Sequence, residues 1–168
     1  MSFSVWFLPA ATSDAPRFPS AGQESSDDYE TLVIEACGVL SETRGAIFRI
    51  SGFGCDEWPL DVAYDLSTFM EQFPGLLAAI RERREIEVDL YGQGVERALA
   101  FRPVDAGVVI TCDSRTDWVP DPDFERVGHD ELVAMLVKLA ADFAGGLSAT
   151  NCALAEVAPF ASWLEGRA

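Results

Sequence analysis

Carboxylates are the chemistry-bearing side chains this chain holds in greatest number, and they are concentrated. Asp56, Glu57, Asp61 and Asp65 fall in one segment, and Asp113, Asp117, Asp121, Asp123 and Glu125 in another. If the two segments converge at one edge of a sheet, paired acids could serve a hydrolase or a metal-dependent phosphoryl transfer. The same acids could equally form a solvated face. Asp121 to Glu125 has the spaced acids of a calcium loop, but Arg126 stands where the sharp-turn glycine belongs and Leu132 where the bidentate acid belongs. His129, the sole histidine, precedes a helix start and reads as an exposed residue beside a cap rather than a base. One histidine and the scattered Cys37, Cys55, Cys112 and Cys152 have no zinc spacing. Gly52-Phe53-Gly54 and Gly92-Gln93-Gly94 open like dinucleotide fingerprints, but the third glycine position is Glu57 in one and Arg97 in the other. The sequence therefore assigns no catalytic residue, no metal ligand and no cofactor.

Charge bounds the partners. The net charge is −16, and the segments 21–35, 51–71 and 113–131 together carry −15 of it. Nucleic acid or an anionic membrane would need Lys/Arg clusters that the chain lacks, so neither is expected as a partner. Met1 to Ala11 is apolar but has no basic flank, and no later apolar run approaches the ~18 residues that a membrane span needs. Free thiols inside apolar stretches fit a reducing cytoplasm.

The elements that must position these acids read as follows. Residues 85–113 alternate as three antiparallel strands, with Ile86, Val88 and Leu90, then Val95, Leu99 and Phe101, then Val108, Ile110 and Cys112 turned to the core. Phe3 to Leu8 reads as a strand covered on both faces. Residues 9–28, rich in Pro, Ser and acid, read as a long flexible loop. Tyr29–Leu40 and Ala46–Phe53 read as a β-hairpin, and Leu60–Tyr64 as a further strand. Leu66, Phe69, Met70, Phe73, Leu77 and Ile80 form one helical stripe over 66–83, capped at Ser67 or Thr68, with Pro74 expected to kink it. The acidic connection 114–126 follows. A second helix over 130–150 carries Leu132, Met135, Leu136, Leu139 and Phe143, and a last helical piece is broken near Pro159. The expected fold is a single α+β domain over 1–168, with an antiparallel sheet of about six or seven strands and two or three helices on one face.

The block Ser51 to Leu66, the following Phe69 to Pro74, Leu90 to Arg97 and Ser114 to Trp118 resembles a group of small acidic actinobacterial proteins, over roughly residues 45–165. In size, acidity and mixed α+β make-up the chain also looks like immunity proteins of bacterial polymorphic toxins. That likeness implies a protein that binds and blocks a toxin domain, and it carries over no site residue. The functional expectation is a cytoplasmic interaction module that inhibits a basic toxin such as a nuclease. Its acidic face would comprise Asp56, Glu57, Trp58, Asp61, Asp65, Asp113, Asp117, Trp118, Asp121, Asp123 and Glu125. Trp58, Tyr91 and Trp118 beside these acids read either as interface anchors or as caps on the edge of the core. The alternatives are an enzyme built on a carboxylate cluster and a small-ligand module with its pocket between sheet and helices.

Overall fold

The computed structural model describes residues 2–11, 28–92, 94–150 and 152–168. Most of the loop expected over 9–28 lies outside these residues. Strands β1 (Ser4–Leu8) and β2 (Ile47–Ser51) pair antiparallel, and β3 (Ile86–Leu90), β4 (Arg97–Val104), β5 (Gly107–Ser114) and β6 (Phe124–Gly128) form a four-stranded antiparallel meander. Helices α1 (Tyr29–Ser41), α2 (Asp65–Arg81), α3 (His129–Ala149) and α4 (Phe160–Leu164) complete the α+β fold, with a short 3-10 turn at Ala153–Glu156.

The alternation expected in the meander holds. Val88, Leu99 and Cys112 align across one rung, and Ile86, Phe101, Ile110 and Glu125 across the next, so a single sheet face is turned inward. The opposite face carries Glu87, Arg102, Thr111, Asp113 and Arg126, all exposed. Ridges of α2 and α3 bury Leu66, Phe69, Phe73, Leu77 and Ile80, and Leu132, Leu136, Leu139, Phe143 and Leu147. By length and composition alone α3 could cross a membrane, but this stripe is buried inside the fold. Gly145 and Gly146 lie inside α3 without ending it, and Gly146 serves packing. A Cβ there would sit 3.0 Å from Leu40 and 3.3 Å from Phe7, so glycine lets α1 and β1 close on α3.

Several expectations are corrected. Residues 29–40 are helical, because Leu32, Val33, Ala36, Cys37 and Leu40 bury at helical spacing and the Asp28 carboxylate accepts the Thr31 N–H at the N-terminus. With that strand gone, the antiparallel strands divide into sheets of two and four rather than one sheet of six or seven. Residues 60–64 make no strand. They bend into the start of α2, whose N-cap is Tyr64 rather than Ser67 or Thr68, and Ser67 Oγ instead donates to Glu71 Oε1 at 3.1 Å. Phe124–Gly128, read as part of an irregular connection, is the fourth strand of the meander. β1 is covered on one face only. Val5 and Phe7 pair inward with Ile50 and Phe48, while Trp6 and Leu8 remain exposed.

Candidate functional site

The two acidic segments meet. Phe53 is the hinge: its N–H donates to Glu125 Oε1 at 2.9 Å and its carbonyl accepts the Asp121 N–H at 3.1 Å. Gly54, at φ 77°, packs so tightly on the Asp121 carbonyl that a Cβ would overlap it. Beside this seam Trp58 and Trp118 touch edge to face at 5.9 Å, and Arg97 of β4 fits between them. Its guanidinium carbon lies 4.3 Å from the Trp58 ring centroid and 3.8 Å from that of Trp118. A guanidinium is flat and weakly hydrated, which suits it to lie against indoles away from water.

Arg97 is only 5% exposed, and its Nε and Nη1 have no hydrogen-bond partner, nor has Trp58 Nε1. Burial pushes the Arg97 pKa down, and nearby Cys112 and Cys55 act in the opposite direction. The same burial pushes the Cys112 thiol up to about 11 in spite of Arg97, so this thiol is protonated near neutral pH. The cation is therefore held by ring faces rather than by a carboxylate. Its effect is to staple the loops around Trp58 and Trp118 onto the meander.

The expected face is thereby redrawn. Asp56, Glu57, Asp61, Asp113, Asp117, Asp121 and Asp123 are exposed. Glu125 is buried and is committed to Phe53, because its register position on β6 faces the core opposite Ile110. Trp58, at 3% exposed, is a core residue and offers no surface to a partner, while Trp118 is half-buried against it. Asp65 is buried at the start of α2. The large apolar side chains that do stand among the acids are Val119, 77% exposed, and Phe124, 43% exposed, with Arg126 over the Phe124 ring. Neither was singled out in the sequence. Phe124 becomes visible once β6 is recognised, since Glu125 and Val127 point inward and Phe124 must then point out. Arg97 was legible by the same parity: it occupies the core position between Val95 and Leu99.

A separate cleft of about 570 Å³ opens where α1, α2 and the end of β3 meet. Ile34, Asp61, Tyr64, Asp65, Glu71 and Tyr91 are among the residues lining it. Asp61 and Asp65 serve the start of α2: Asp61 Oδ1 accepts the Tyr64 N–H and Asp65 Oδ2 the Asp61 N–H, each at 2.7 Å. Desolvation raises the Asp65 pKa, a trend that the hydrogen bond from Asp61 opposes. Asp113 and Asp117 do not line this cleft, so the four acids do not share one pocket. Among the described residues no group of three or more His, Cys, Asp or Glu could hold a metal ion. His129 is not the exposed residue expected. Its Nε2 donates to the Ile80 carbonyl at 2.9 Å, tying the start of α3 to the end of α2.

No protein-family model, curated protein or solved structure matches the chain. The geometry alone defines the class, an α+β protein with an antiparallel meander and an acidic loop pair at its edge.

Proposed function

We propose that the protein is a cytoplasmic interaction module, an immunity-type inhibitor of a basic toxin such as a nuclease. The observation that carries this reading is the loop pair itself. Exposed Asp56, Glu57, Asp117, Asp121 and Asp123 stand on two loops joined through Phe53, with exposed Val119 and Phe124 among them. Apolar side chains within a charged surround resemble the core and rim of a docking surface. The acids would speed encounter with a cationic groove, and Val119 and Phe124 would slow departure. The Arg97 staple supports the reading because loops held before binding lose less freedom on binding.

The test is kinetic. Association with basic nuclease domains, any found in a neighbouring gene first among them, is followed at several salt concentrations. The triple change Asp117→Lys, Asp121→Lys, Asp123→Lys should slow the on-rate about tenfold or more and flatten its salt dependence. Phe124→Ala should act on the off-rate instead. An unchanged on-rate in the triple variant, with its fold intact, would place the docking surface elsewhere.

A further inference from the structure

The outer face of the meander is bare and its charges are sorted. The helices cover the inner face, while the outer one presents three rungs to solvent. Asp89, Ala98 and Asp113 align on the first, Glu87, Ala100, Thr111 and Phe124 on the second, and Arg102, Val109 and Arg126 on the third, where Glu85 pairs with Arg102 at 3.0 Å. Acids therefore line the β3 edge, and Phe124 and Arg126 stand on the β6 edge. Glu85, Glu87, Asp89 and Asp113 against Arg102, Arg115 and Arg126 leave this face at −1 in a chain of −16, so it repels a second copy far less than the acidic loops do. Ala98, Ala100 and Val109 keep its middle low and apolar.

The relief of this face is self-complementary. A depression of about 240 Å³ lies between β3 and β4, with Glu85, Glu87, Ala100 and Arg102 in its lining. Across the sheet Phe124 protrudes, 43% exposed, with Arg126 over its ring. Knob and hole share a rung at opposite edges of the sheet. When two such faces pack with strands aligned, a two-fold axis parallel to the strands sets β3 of one copy over β6 of the other. Each Phe124 then lies over the depression at Glu87 and Ala100, and each Arg126 over Glu85. A two-fold axis across the strands would instead press the acidic β3 edges together. We infer that the outer face of the meander joins a second copy of this chain in a two-fold sandwich, Phe124 of each seated in the depression of the other. Four strands about 4.8 Å apart, with the eight residues of β4 at about 3.4 Å each, make a face of about 500 Å². Two such faces bury about 1,000 Å², the lower bound for a specific interface, so the dimer is reversible rather than permanent.

Sedimentation velocity of the intact protein alone tests this, over about 1–500 μM in about 0.15 M sodium chloride. A reversible dimer with Kd of about 1–100 μM is expected. Phe124→Ala should weaken it about tenfold or more. Glu85→Arg and Arg126→Glu should each leave a monomer over this range, because each sets like charges together twice across the two-fold axis. An equimolar mixture of those two variants should nevertheless form a heterodimer, in which both pairs are again of opposite charge. Glu85, Phe124 and Arg126 are all exposed, so the variants should keep the fold, and circular dichroism checks it. A wild-type monomer at every concentration, a dimer indifferent to Phe124→Ala or to either charge reversal, or a mixture that stays monomeric would overturn the inference. No toxin is present in the measurement and Glu85 lies outside the docking loops, so the outcome is separate from that of the docking reading.

Discussion

Arg97 shows how one side chain can organise a surface it does not belong to. Its charge is buried without a hydrogen-bond partner on Nε or Nη1, a costly arrangement offset by contact with two indole faces. Lysine at this position would carry a compact, strongly hydrated charge that cannot stack. Arg97→Lys should therefore destabilise by about 1–3 kcal/mol. Arg97→Met, which keeps the apolar stem and removes the unpartnered N–H groups, should cost less. Urea unfolding of the two variants checks the order, and a reversed order would mean that the guanidinium has a partner. Asp65 yields a pH dependence. Burial raises its pKa in the folded state, so the folded chain holds that proton more tightly than the unfolded chain. Below the ordinary aspartate pKa the group is neutral in both states and contributes no difference. As pH rises through the folded value, its ionisation costs stability. Relative to wild type, Asp65→Asn should therefore be more favourable at neutral pH than in acid, with the difference fading as pH falls to the ordinary aspartate range. Denaturant midpoints of both proteins across that window test the sign.

Among the elements, α3 and the meander are the parts where local pattern and tertiary packing agree. Leu136 is fully buried, so Leu136→Ala should cost about 2–5 kcal/mol by urea unfolding. A loss well under ~1 kcal/mol would contradict its place in the core. The helix at 29–41 is the instructive miss. Thr31, Val33, Ile34 and Val39 favour a strand as individual residues, but Asp28 caps a helix and the buried positions recur at its period. The cap and the spacing are legible in the sequence, and together they outweigh the β propensity of the individual residues. The strand at 124–128 was harder to see because Asp121-Pro122-Asp123 reads as an irregular loop up to its edge. Its pairing with β5 supplies the hydrogen bonds that local sequence does not announce.

For the whole molecule, charge is the dominant global property. With a net charge of −16, the compact state carries self-repulsion, and screening should relieve it. Raising sodium chloride from about 10 mM to about 0.15 M shortens the screening length from roughly 30 Å to 8 Å and should raise the thermal midpoint. A fall would mean that exposed pairs such as Arg115 with Asp89 and Arg102 with Glu85 contribute more than the repulsion.

The sequence by itself determined the α+β class, the meander with its inward and outward faces, the two long amphipathic helices and the concentration of acid in two segments. Each of these is written in short-range periodicity or composition, which a linear reading can detect. Tertiary structure alone decided that the acidic segments meet at Phe53, that Trp58 and Glu125 are buried while Val119 and Phe124 are not, and that Asp61 and Asp65 part from Asp113 and Asp117. These outcomes depend on contacts between residues far apart in the chain, such as Phe53 with Glu125 and Arg97 with Trp58 and Trp118, for which no local pattern exists.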